Sequence, residues 1–108
     1  MLLISATVAG SGLGFPEGPL VLPDGRIAFV EEYRGCVSVM EDGRVRVLAD
    51  VGGNPNGLAL GADGLLDVTR GRGAVGAWRA PDQVTPAIVA HDRGRLWCLE
   101  TTLTGAPL

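Results

Sequence analysis

The chain has 108 residues, with 46% hydrophobic and 19% charged side chains, which is too apolar and too weakly charged for a disordered segment. Nine arginines, no lysine and twelve acidic residues give a net charge of -3 with no basic cluster, which argues against a nucleic acid or an anionic membrane as partner. Seventeen glycines recur between short apolar runs, the distribution expected of many tight turns joining many short strands.

The opening Met1 to Gly10 lacks a basic leader region. Its apolar stretch is far shorter than the roughly 18 residues that span a bilayer. It reads as a β-strand, and a cytoplasmic location is expected. Next, Leu20-Val21-Leu22 ends in Pro23-Asp24-Gly25, where Asp supplies a side-chain acceptor and Gly the positive φ of a tight hairpin. Ile27 to Val30, Cys36 to Val39 and Arg44 to Leu48 follow as second, third and fourth strands, with Glu41-Asp42-Gly43 as another turn. Arg44-Val45-Arg46-Val47 alternates basic and aliphatic residues, as suits an edge strand with one wet face. No segment shows helical spacing, so an all-β fold is expected.

The pattern then repeats. Pro16-Glu17-Gly18-Pro19-Leu20-Val21-Leu22-Pro23-Asp24-Gly25 matches Pro55-Asn56-Gly57-Leu58-Ala59-Leu60-Gly61-Ala62-Asp63-Gly64 at an offset of 39 residues. The same offset sets Ala74 to Trp78 opposite Gly35 to Val39 as a third strand. Four strands in about 40 residues is the period of a β-propeller blade. Residues 1–11 would be a closing strand, 12–50 blade one, 51–90 blade two, and 91–108 the start of further strands. Two blades leave an apolar sheet face uncovered, so a piece of a longer protein is expected.

Glu17 and Asn56 occupy equivalent positions in the two repeats. The first strand of a blade lines the channel, so a carboxylate and an amide would converge at its mouth, the oxygen chemistry that hard cations such as Ca²⁺ require. The plainer reading makes Asn56 an Asx turn and Glu17 a solvated loop acid. Glu31, ending a strand near the same mouth, is a further candidate for substrate contact.

Gly14-Phe15-Pro16-Glu17-Gly18-Pro19, the following Leu-Pro-Asp-Gly-Arg, Phe29-Val30-Glu31, and Gly52-Gly53-Asn54-Pro55-Asn56-Gly57-Leu58-Ala59-Leu60 resemble the opening blades of the senescence-marker-protein/gluconolactonase family (LRE-like region). The resemblance runs over nearly the whole chain. It implies a six-bladed propeller of which this chain covers about the first two blades, and a metal-dependent lactonase with a divalent cation, often Ca²⁺, at the channel mouth. Glu17 matches the family's glutamate ligand, and Asn56 matches a Pro-Asn-Gly element facing the same channel. The family's further asparagine ligands and its aspartate, ligand and general base, have no counterpart here, so no catalytic residue is assigned. The implied chemistry is opening of a sugar-type lactone by water, and the chain alone is expected to be inactive. The alternative is a non-catalytic propeller that binds a small ligand or a protein.

The remaining residues read plainly. Cys36 and Cys98 lie far apart without metal-ligand spacing and are expected as two reduced, packed thiols. His91 reads as a surface-loop residue in a polar turn. Trp78 and Trp97 read as packed between blades rather than as sugar-stacking platforms. Asp67, between Leu66 and Val68, is expected to face outward by strand alternation.

Overall fold

The computed structural model describes residues 4–92 and 95–100, with side chains described through His91. The fold is all-β, and no helix occurs among the described residues. The first sheet contains β1 (Pro16–Val21), β2 (Ile27–Glu31), β3 (Cys36–Glu41) and β4 (Arg44–Asp50), antiparallel and in chain order. Its turns use the chemistry the sequence announces. Asp24 Oδ1 accepts from the Arg26 amide at 3.0 Å beside Gly25 at φ 90°, and Asp42 and Gly43 both adopt positive φ, as a two-residue I′ hairpin requires. β4 is an edge strand, as expected, and Arg44 to Val47 are all exposed.

The second sheet begins in the same way. β5 (Asn54–Leu60) and β6 (Leu66–Gly71) are joined by a turn in which Asp63 Oδ1 accepts from the Leu65 amide at 3.1 Å. The chain then departs from the repeat. Ala74–Val75 (β7) and Trp78–Arg79 (β8) form a separate hairpin, and the third strand of the sheet is β9 (Ala87–Asp92), followed by β10 (Arg95–Glu100). Ile27 pairs with Met40 in the first sheet, and its counterpart Leu66 pairs with His91 in the second. The offset is therefore 51 residues at the third strand, so the hairpin is a twelve-residue insertion after β6. The expected third strand at Ala74 to Trp78 is corrected accordingly, and the second sheet runs on to Glu100 rather than ending at 90. Gly73 and Gly76, both at positive φ, turn the inserted chain out of the ladder.

The two sheets meet face to face. Ala28, Val30, Val37 and Val39 of the first pack with Leu66, Val68, Ala87 and Val89 of the second, and Leu22 and Val51 complete the core. These positions recur with period two, as one buried face of a pleated strand demands. Each buried valine or leucine contributes about 1.5 to 3 kcal/mol.

Residues 4–11 form no strand, contrary to the expected closing strand at 1–11, of which Met1 to Leu3 lie outside the described residues. A strand needs a backbone edge to pair with. The residues that follow this segment are tied to the end of β2: Arg34 donates to the Gly12 carbonyl at 2.7 Å, and the Gly14 amide donates to Glu31 at 2.9 Å. The Glu32 and Tyr33 amides then donate to the carbonyls of Phe15 and Gly14, both at 3.0 Å. Residues 12–15 thus act as a strap across the end of β2.

His91 is a further correction. It lies in β9 between Leu66 and Leu96 and is buried rather than sitting in a surface loop, because the strand continues past the polar residues that suggested a turn. Asp67 is half-buried, while its neighbours Leu66 and Val68 point into the core, as alternation requires. Cys36 is a buried free thiol; Trp97 and the side chain of Cys98 lie outside the described side chains.

Candidate functional site

β1 and β5, the equivalent first strands, lie against each other. A Cβ built on Gly18 would stand 3.4 Å from Cα of Gly57, so the two backbones meet where neither carries a side chain. Glu17 and Asn56 flank this contact. Both lie inside their strands rather than ahead of them, a correction to the expected loop positions. Each sits at an irregularity of the ladder: β1 shifts register between Glu17 and Leu20, and β5 between Pro55 and Gly57. Bulges of this kind re-aim side chains and are over-represented beside active sites.

Glu17 is half-buried. Asn56 is exposed, and its Oδ1 accepts from the Thr69 hydroxyl at 2.8 Å, so its partner is the neighbouring strand rather than an Asx turn. Glu31 is placed differently from both. It is fully buried, with Oε1 receiving the Gly14 amide at 2.9 Å and the Arg34 guanidinium at 3.0 Å. Its Oε2 accepts from the Ser38 hydroxyl at 2.6 Å and the Cys36 thiol at 3.4 Å. Burial pushes its pKa up, but the hydrogen bonds from Ser38, Gly14 and Cys36 and the Arg34 charge outweigh it and hold the carboxyl below its ordinary value. Glu31 is therefore a bolt between the strap and the first sheet, with no face turned to a ligand. Burial also raises the Cys36 thiol to about 11, so it is inert as a nucleophile near neutral pH.

Glu32 and Asn54 were not singled out by the sequence. Asn54 is buried; its Nδ2 donates to Glu32 Oε1 at 3.4 Å, and its Oδ1 accepts from the Gly73 amide at 2.8 Å, which pins the inserted hairpin to the start of β5. Asn directly before Pro at a repeat boundary was the available signal. Burial raises the pKa of Glu32, Asn54 partly opposes this, and the charge of Glu17 adds to the rise. A carboxylate whose folded pKa is raised costs stability once ionised. Its contribution is favourable below the ordinary value of 4.5 and is lost as pH rises through the folded value. Glu32→Gln is therefore expected to match or exceed the parent in urea-melt stability at pH 7, by about 1 kcal/mol, with the difference gone below about pH 4. A variant less stable at pH 7 would show that the ionised carboxylate is needed.

Among the described residues a cation shell is not complete. Ca²⁺ takes six to eight oxygens. Among the described residues no three carboxylate, imidazole or thiol side chains converge to hold a metal, Glu31 is fully engaged, and Asn56 is bonded to Thr69. Glu17 lies beside the contact of β1 and β5, near enough to Glu32 for its charge to raise that carboxyl's pKa.

Comparison with known protein families and with characterised proteins returns no match to this sequence in either.

Proposed function

We propose that the two four-stranded sheets are two blades of a gluconolactonase-like, six-bladed β-propeller hydrolase that opens sugar-type lactones. The observation that carries this reading is the meeting of the equivalent strands β1 and β5 at Gly18 and Gly57, with bulges at the matched positions 17 and 56. First strands that converge while fourth strands lie outermost is the radial order of blades around a channel. In this reading Glu17 is the chain's single contribution to a divalent-cation site, probed most simply with Ca²⁺, and the other oxygens belong to further blades. Asn56 faces the same mouth, and the ligand is a small lactone or sugar acid rather than a nucleic acid or a membrane.

The residues present do not themselves form the site, so the 108-residue chain should show no saturable Ca²⁺ binding below about 1 mM by calorimetry and no turnover of δ-gluconolactone. In a protein that carries the same sequence with the remaining blades, Glu17→Gln should lower lactone turnover about a hundredfold or more. Turnover by the 108-residue chain that Glu17→Gln abolishes would overturn the partial-site reading, and an unchanged rate in the longer variant would remove Glu17 from the site. The second reading, a non-catalytic binding propeller, is favoured by the commitment of Asn56 to Thr69 and of Glu31 to the strap. It requires that the longer protein turn over no lactone at all.

A further inference from the structure

The inserted hairpin does more than interrupt the repeat. Trp78 on β8 stacks on Tyr33 of the β2–β3 turn, with centroids 4.9 Å apart and planes 29° apart, and Tyr33 continues to Phe15 at 5.1 Å. Three rings therefore run from the strap across the first sheet to the hairpin of the second. Phe15 and Tyr33 are both about two-fifths exposed, and Trp78 is half-buried. Beside them opens a cleft of about 240 Å³, with Tyr33 and Trp78 on one side, a backbone floor at Gly35, Gly52 and Gly53, and the charged groups Arg34, Asp50 and Asp82.

We propose that this cleft is a binding site for a single neutral sugar ring. Its volume lies below the roughly 300–1,000 Å³ of sites for drug-sized ligands, so it suits one ring rather than an oligosaccharide. Aromatic side chains supply apolar surface for the C–H face of a pyranose, and the glycine floor lets the ring approach the backbone. Asp50 and Asp82 have no ion-pair partner among the described residues and offer acceptors to hydroxyl groups. Arg34 is held by Glu31 at 3.0 Å and by the Gly12 carbonyl at 2.7 Å, which fixes its guanidinium as a donor. Two carboxylates disfavour an anionic sugar acid, and since the Arg34 charge is balanced by Glu31, the choice between a neutral sugar and an organic cation is read directly in the test. The cleft shares no residue with the Glu17 and Asn56 positions, so the inference stands apart from the lactonase reading, and its test reads binding rather than turnover.

The test is a titration of the 108-residue chain with methyl β-D-glucopyranoside and methyl β-D-galactopyranoside, followed by saturation-transfer NMR and tryptophan fluorescence. Saturable binding of at least one glycoside in the millimolar range, about 0.1 to 10 mM, is expected for so small a site. Trp78→Ala should weaken it about tenfold. Because Trp78 also braces the hairpin, Asp82→Asn serves as a second variant. Its side chain is exposed and makes no hydrogen bond among the described residues, so it should weaken glycoside binding several-fold with an unchanged circular dichroism spectrum. Three results would each overturn the site: no transfer signal from either glycoside, preferential saturation by tetramethylammonium, or unaltered affinity in both variants.

Discussion

Glu31→Ala is expected to cost about 3 kcal/mol of stability, read as a fall of about 15 °C in melting temperature. The side chain is fully buried, and its two oxygens receive the Gly14 amide, the Ser38 hydroxyl, the Cys36 thiol and the Arg34 guanidinium. Removing it strands the Ser38 hydroxyl and the Gly14 amide without an acceptor, leaves a void beside Cys36, and frees Arg34 from one of its two anchors. The loss should be localised. The amides of Gly14, Glu32 and Tyr33 should lose hydrogen-exchange protection first, because the strap is tied down through them. The pH dependence has a defined sign. A carboxyl held below its ordinary 4.5 stabilises the fold above that pH, and this contribution is lost as pH falls through the lower folded value. The gap between parent and variant should therefore be constant near neutrality and close in acid. A gap that is small at pH 7, or that widens in acid, would show that Glu31 does not bolt the strap in its ionised form.

Gly53→Ala should be comparably damaging, for a steric reason. Gly53 has φ 63°, and a Cβ there would run into the Gly71 carbonyl oxygen and stand 2.8 Å from a methyl of Val84. Gly71 is the ladder partner of Asn54, so relief of the clash would open the start of β5, detach Asn54 from the Gly73 amide and release the inserted hairpin. A loss of about 3 kcal/mol or more is expected in urea melts. Gly64→Ala is the control. Its φ of 84° carries the same left-handed strain, but nothing lies within 4 Å, so only the turn penalty of about 1 to 2 kcal/mol applies. Equal losses at the two positions would mean that backbone conformation, not the close approach at Gly53, sets the cost.

The second, third and fourth strands of the first sheet could be read from the sequence closely, because Asp24-Gly25 and Asp42-Gly43 are turns whose chemistry is local, whereas β1 begins at Pro16, earlier than its apolar run suggests. Asp24, Asp42 and Asp63 all behave as their types imply. The second sheet could not be read in the same way. Ala74 to Trp78 has the apolar content of a strand, and nothing local shows that its glycines turn it outward while the ladder resumes at Ala87. The candidate site divides along the same line. The pairing of position 17 with position 56 is a property of the repeat and was legible. The burial of Glu31 depends on a strap that no strand pattern announces, so alternation along β2 places Glu31 opposite the core but cannot say that residues 12–15 cover it. His91 was misplaced because Ala90-His91-Asp92-Arg93-Gly94 looks polar, while its place in the sheet depends on pairing with Leu66, 25 residues away in sequence.

The insertion also divides labour within the sheet. The ladders of β6 with β9 and of β2 with β3 keep the same pairing pattern although the connecting segments differ by twelve residues. Strand packing at one end is therefore indifferent to how much chain is spliced in at the other. A graft of a longer, shorter or differently decorated hairpin between Gly71 and Ala87 changes what the rim can grip while leaving the valine layer alone. This is where a protein engineer would begin.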